Sequence, residues 1–188
     1  MVYILIILVL IIFFVIWLFW HGRNKLVRLS VNVDEASSQI NTQLQRRYDL
    51  LPNLVETVKA YAKYESETFE KITKARNSLA QALNAADPEL LKEADIQFQQ
   101  AQFSIQLVAE KYPDLKASEN FLNLQEELTT TENKIAYARQ AFNDSVREYN
   151  TEIQVFPIIL IAEKLGFKER QMFELSSEEA REVVEVGV

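Results

Sequence analysis

Residues 121–156 read FLNLQEELTTTENKIAYARQAFNDSVREYNTEIQVF, and within them Phe121, Leu128, Ile135, Phe142, Tyr149 and Phe156 stand at a strict spacing of seven. Leu124 and Ala138 join the same apolar stripe. A heptad pattern held over some 35 residues, or about 50 Å of helix, marks a long helix that packs lengthwise on neighbours. No glycine or proline interrupts it before Pro157, which closes it.

Working back from this segment, Leu91, Phe98, Ile105 and Tyr112 alternate with Ala94, Ala101 and Val108 in a further helix that Pro113 stops. Its start is marked by Asp87-Pro88-Glu89, an N-cap, a first-turn proline and an early acid. Before it, Leu51, Val58, Ile72 and Leu79 share one heptad position and Val55, Ala62, Phe69 and Leu83 the other, predicting a second helix to about Asn84 with Glu65 and Arg76 as polar intruders. A first soluble helix carries Leu29, Val33, Ala36, Ile40, Leu44 and Tyr48 at steps of three or four. Between these two, Asp49 reads as an N-cap and Pro52 as a first-turn residue, so a tight reversal is expected at Arg46-Arg47-Tyr48-Asp49-Leu50-Leu51-Pro52-Asn53. Short connections make neighbouring helices antiparallel, and the expected fold is all-α: an up-and-down four-helix bundle.

Every side chain from Val2 to Trp20 is aliphatic or aromatic. A helix of that length nearly matches a hydrocarbon core of roughly 30 Å, so a transmembrane helix is expected to precede the bundle. Trp17 and Trp20 at one end and Tyr3 at the other suit the interfacial belts. A basic start and a small-residue cleavage site, which would mark a removable signal peptide, do not precede His21. Arg23, Lys25 and Arg28 follow the span and no basic residue precedes it, which predicts a single-pass protein of the cell (cytoplasmic) membrane with the N-terminus outside and the bundle in the cytoplasm. The same trio is placed to meet anionic lipid. Gly22 is the only plausible break between span and bundle. The expected division is an anchor over residues 1–21, the bundle over 22–168, and an acidic surface tail over 169–188.

Composition excludes several classes of function. With no cysteine, the 188-residue chain has no disulfide, thiolate metal site or thiol nucleophile. Its only histidine, His21, adjoins the membrane, which removes the ligands of a di-iron or haem bundle and the base of a Ser-His-Asp arrangement. Gly22, Gly166 and Gly187 lie too far apart to build a phosphate loop. A net charge of −7 argues against nucleic acid as a partner.

What is left for chemistry is carboxylates. Glu65, Glu110 and Glu132 lie on or beside apolar stripes of different segments and could pair for acid-base work or hold a divalent ion. The competing reading pairs them with Arg46, Arg76 and Arg139 in ion pairs that set register. Residues Arg46 and Arg47 read as hairpin-end partners of Asp49, and Tyr61 and Tyr64 as core or rim residues.

Two blocks carry a family resemblance. Arg46-Arg47-Tyr48-Asp49-Leu50-Leu51-Pro52-Asn53-Leu54-Val55, followed by Tyr61, Glu65 and Arg76, looks like the first signature of the LemA family. Tyr112-Pro113-Asp114-Leu115, then Phe121, Leu124, Leu128, Glu132, Ile135, Ala138-Arg139, Asn143, Tyr149-Asn150 and Phe156-Pro157, resembles the second in order and spacing. The likeness runs from the apolar start to about Phe173, with Ile158-Ile159 more apolar than is usual for the family. It implies a four-helix protein of the bacterial cytoplasmic membrane without an established activity, and brings no catalytic residues. Some members are associated with magnetosome membranes, which implies by analogy a role in organising membranes. The expectation is a non-enzymatic scaffold without cofactor or metal, whose partners are the lipid bilayer, further copies of itself or other membrane-associated proteins. The alternative is a carboxylate-based divalent-metal sensor or enzyme.

Overall fold

The computed structural model describes residues 2–85 and 88–173, and among them all regular structure is helical. The elements are α1 (Val2–Tyr61), α2 (Ser66–Ala85), α3 (Pro88–Lys111), the single turn α4 (Pro113–Lys116), α5 (Glu119–Gln154), α6 (Ile159–Ala162) and a 3-10 turn (Glu163–Leu165). The chain forms two compact units, one from Met1–Ala36 with Arg139–Val188 and one from Ser37–Ala138.

In the first unit α1 begins with the apolar run. The run's most apolar window has a mean hydropathy of 3.4 and none of it is buried in the molecule, as befits a helix that presents its surface to lipid. The helix then passes through Gly22 without a break. A glycine costs an α-helix roughly 1 kcal/mol relative to alanine, and here the missing side chain admits a neighbour. A Cβ at Gly22 would lie 2.9 Å from Ile161 Cδ1 and 3.4 Å from Ile158 Cγ1. Beyond this contact Leu26, Leu29 and Val33 of α1 are buried with Val146, Tyr149 and Ile153 of α5 and with Ile158 and Ala162, while Phe142 and Phe167 pack partly against them. The 3-10 turn ends at Gly166, whose φ of 81° is the left-handed conformation that a side chain resists, and Phe167 N–H returns to the Ala162 carbonyl at 3.0 Å.

The heptad stripe of α5 corrects its own expectation at one end. Phe121, Leu128, Ile135 and Tyr149 are buried, but Phe156 is 79% exposed. The helix stops at Gln154, so the turn before Pro157 no longer aims Phe156 along the stripe.

In the second unit the expected reversal at Asp49–Pro52 does not occur. Helix α1 continues through Pro52 to Tyr61, and the chain reverses over residues 62–65. An interior proline costs about 3 kcal/mol, but the continuing helix carries Leu54 and Val58 into the core beside Leu51, all three fully buried. Each such side chain contributes roughly 1.5–3 kcal/mol, so the burial outweighs the lost hydrogen bond. The heptad arithmetic Leu51, Val58, Ile72, Leu79 runs across the turn because two helices happen to share its phase, and all four residues are buried. Ile40 and Leu44 of α1, Leu91, Phe98 and Ile105 of α3, and Leu115 of α4 are also buried, and α2 packs along α3.

Candidate functional site

The first motif block lies on α1 from Arg46 to Tyr61, with Glu65 in the following turn and Arg76 on α2. Arg46 and Arg47 are successive residues of α1, about 100° apart around its axis, and therefore meet different neighbours. Arg47 is only 3% exposed; its Nη1 donates to Asp95 Oδ1 of α3 at 3.0 Å, and its guanidinium carbon lies 4.0 Å from the centroid of the Phe98 ring. A permanently charged fork buried at a helix interface requires such a carboxylate and is further favoured by the aromatic face. Arg46, half exposed, donates from Nε to Glu127 Oε1 of α5 at 3.1 Å. Asp49 caps nothing, since it sits inside α1 and accepts from Gln45 Nε2 one turn earlier at 2.9 Å. The Asn53 carbonyl, next to Pro52, accepts from Thr57 Oγ1 at 2.9 Å.

The three acids expected as an arginine-paired or metal-binding set take separate roles. Glu65 closes the turn between α1 and α2 and meets the end of α3: Lys111 Nζ donates to its Oε1 at 2.6 Å and the Tyr112 hydroxyl donates to the same oxygen at 3.0 Å. These two hydrogen bonds hold the Glu65 carboxyl below its ordinary pKa, while the carboxylate raises the pKa of both Lys111 and Tyr112. Glu110 pairs with Lys116 at 2.6 Å, and Glu132 is exposed on α5. Among the described residues no three metal-ligating side chains gather. The Arg76 guanidinium lies over Tyr48, 4.6 Å from the ring centroid, rather than on an acid; Arg139 is half buried on α5. Both donors to Glu65 converge on one carboxylate oxygen and so latch the α1–α2 turn to the end of α3.

The second block builds a clamp in the first unit. Asn143 and Asn150 lie seven residues apart on α5, hence on one face. Each side-chain amide pairs with one backbone residue of the segment after Gly166. Asn150 Nδ2 donates to the Arg170 carbonyl at 2.7 Å and its Oδ1 accepts from Arg170 N–H at 2.9 Å. Asn143 repeats the pattern on Phe173, at 2.9 and 2.8 Å. The Tyr149 hydroxyl donates to the Lys168 carbonyl at 2.9 Å, the Phe173 ring stacks 4.8 Å from that of Phe142, and Arg170 reaches Asp34 and Ser30 of α1 at 2.7 and 3.1 Å. Residues 169–173, the start of the expected acidic surface tail, are strapped to α5; the rest of that tail, 174–188, lies outside the described residues. Polar side chains on the α5 surface satisfy backbone groups that no helix or strand would satisfy.

Near the membrane, Lys25 pairs with Glu152 at 2.6 Å, while Arg23 and Arg28 are exposed. Pro113 opens α4 directly after Tyr112. Sequence reasoning missed Asp95, Phe98, Lys111, Arg170 and Phe173 as partners. The repeated Asn at a spacing of seven was the one signal that could have pointed to the clamp. The surface grooves are shallow; one of about 280 Å³ runs beside Pro52 between α1 and α2, lined by Val55, Lys59, Thr73 and Arg76.

The model of the LemA family matches residues 36–187. Protein LemA of Metamycoplasma hominis is 28% identical over 162 residues, which cover 86% of this chain and 73% of the relative. Magnetosome protein MamQ 2 of Paramagnetospirillum magneticum is 25% identical over 174 residues, and magnetosome protein MamQ of Magnetospirillum gryphiswaldense 24% over 173. Each of these alignments covers 80% of this chain and 64% of the relative. The family model includes both motif blocks and the strapped segment, and the chain belongs to the LemA family.

Proposed function

We propose that this protein is a membrane-anchored, non-enzymatic helical scaffold that binds further copies of itself through its soluble helices, with α1, α2, α3 and α5 arranged as an antiparallel up-and-down four-helix bundle. The observation that carries this reading is the outer face of α3. There Ile96, Phe103 and Leu107 stand exposed at helical spacing on the side opposite buried Leu91, Ala94, Phe98, Ala101 and Ile105. A helix that is apolar on a second face has one face to spare for another helix. The bundle reading draws on Arg47 to Asp95, Arg46 to Glu127 and Lys111 to Glu65, which tie α1 to α3, α1 to α5 and the end of α3 to the first turn. The apolar N-terminal helix supports the anchor. The basic flank Arg23, Lys25 and Arg28 supports a cytoplasmic domain in the cell membrane and contact with acidic headgroups. Relatives that are magnetosome proteins fit, by analogy, a role in organising membranes.

The experiment is the mass of the full-length protein in lipid nanodiscs, by mass photometry, beside a variant with Ile96, Phe103 and Leu107 all changed to Gln. A defined assembly that the variant loses is expected. Full-length protein that stays monomeric at every working concentration sinks the self-association reading.

A further inference from the structure

Besides the span, the first unit exposes a second set of large apolar side chains. Val155 and Phe156, just past the end of α5, and Ile159 and Leu160 of α6 are 41%, 79%, 50% and 62% exposed. Water is a poor neighbour for such a cluster, and its position on the chain identifies the alternative. Ile158, just before α6, and Ile161 of α6 rest against Gly22, two residues and so about 3 Å of helix rise beyond Trp20. If Trp20 marks the edge of the hydrocarbon, the headgroup layer beyond it is roughly 5–8 Å deep, and α6 lies inside that layer. The absence of a side chain at Gly22 leaves room for this contact, since a Cβ there would lie 2.9 Å from Ile161 Cδ1.

We propose that the segment from Val155 to Leu160 is a second membrane contact, a short interfacial element whose exposed apolar side chains dip into the bilayer that α1 crosses. The occupant is lipid, and the proposal rests on the anchor reading. Exposed Arg23, Arg28, Lys164 and Lys168 stand close in sequence to the contact between α1 and α6 and carry no ion pair among the described residues, which suits anionic headgroups; Glu163 and Glu169 are the opposing acids. The arrangement holds the first unit to the membrane at two points and so limits its rotation about the anchor.

The chain lacks cysteine, so single cysteines can be introduced into the full-length protein and labelled with an environment-sensitive fluorophore. The positions are Leu160→Cys at the proposed contact, Leu10→Cys within the span and exposed Tyr137→Cys on α5 as the aqueous reference. Reconstituted vesicles then receive spin-labelled lipids with the nitroxide near the headgroup or at the chain end. The expected result is a blue-shifted Leu160 label quenched by the headgroup-proximal nitroxide, a Leu10 label quenched from the chain end, and a Tyr137 label quenched by neither. A Leu160 label as unquenched as that at Tyr137, with Leu10 still quenched, overturns the proposal and leaves the anchor standing. A Leu160 label shielded from aqueous iodide yet untouched by lipid nitroxides also overturns it, in favour of coverage by protein. If the Leu10 label escapes the lipid quenchers, the anchor reading fails and this inference fails with it.

Discussion

Arg47 and Glu65 are both charged motif residues, yet burial separates what they can contribute. Arg47 is enclosed, so removing its partner leaves a charge with no water to turn to. Asp95→Leu is expected to cost roughly 3 kcal/mol in urea unfolding, and the double variant Arg47→Met with Asp95→Leu less than either single change, since an apolar pair replaces the ion pair without stranding a charge. A double variant as unstable as the sum of the singles would show that the two residues do not act as a pair. Glu65 lies at the surface and acts through pH instead. Its pKa is depressed, so the stability it contributes is present above the ordinary carboxylate value of about 4.3 and is lost as pH falls through the lower folded value. Lys111 and Tyr112, both raised, lose their share as pH climbs through their folded values, above about 10. Melting midpoints of the wild type and of Glu65→Gln should therefore differ at neutral pH and converge as pH falls through the lowered value of the folded state; a gap that persists in strong acid would argue that Glu65 acts by shape, not charge.

Among the elements, α1 and the strap on α5 respond to substitution in ways that a sequence reading would not anticipate. Pro52 looks like a turn former, and replacing a turn proline should destabilise by loosening the unfolded chain more than the folded one. Inside α1 the sign reverses: Pro52→Ala restores an amide donor and a good helix former, and thermal unfolding should show a gain of up to about 3 kcal/mol. A loss would put the reversal back at Asp49. On α5, Asn143→Ala and Asn150→Ala each remove two hydrogen bonds to the strap, worth about 1 kcal/mol apiece. The combined variant should release residues 168–173, seen as fast hydrogen exchange at the Arg170 and Phe173 amides while the α5 amides stay protected. Helix periods and most proline-marked ends were legible, and the boundary between α1 and α2 was not. Burial of one face in every turn imprints a spacing along the whole segment, whereas a terminus depends on a few local energies that core packing can override.

For the molecule as a whole, sidedness decides which compartment the helical domain and its partners share. With the basic flank after the span, Tyr3→Cys should react with an impermeant maleimide from outside intact cells and Tyr137→Cys only after lysis; the reverse pattern would place the helical domain outside. Residue order alone determined the helical class, the apolar span and the family. Composition limits backbone choices, nineteen successive apolar residues tolerate few environments, and motif spacing survives without coordinates. Only the tertiary structure decided where the chain reverses, which carboxylate meets which cation, that residues 168–173 are strapped to α5, and that Phe156 faces outward beside the anchor. Each of these depends on side chains far apart in sequence reaching the same place, where burial of Leu54 and Val58 outweighs a proline, and where Asn143 and Asn150 find backbone that no local pattern announces.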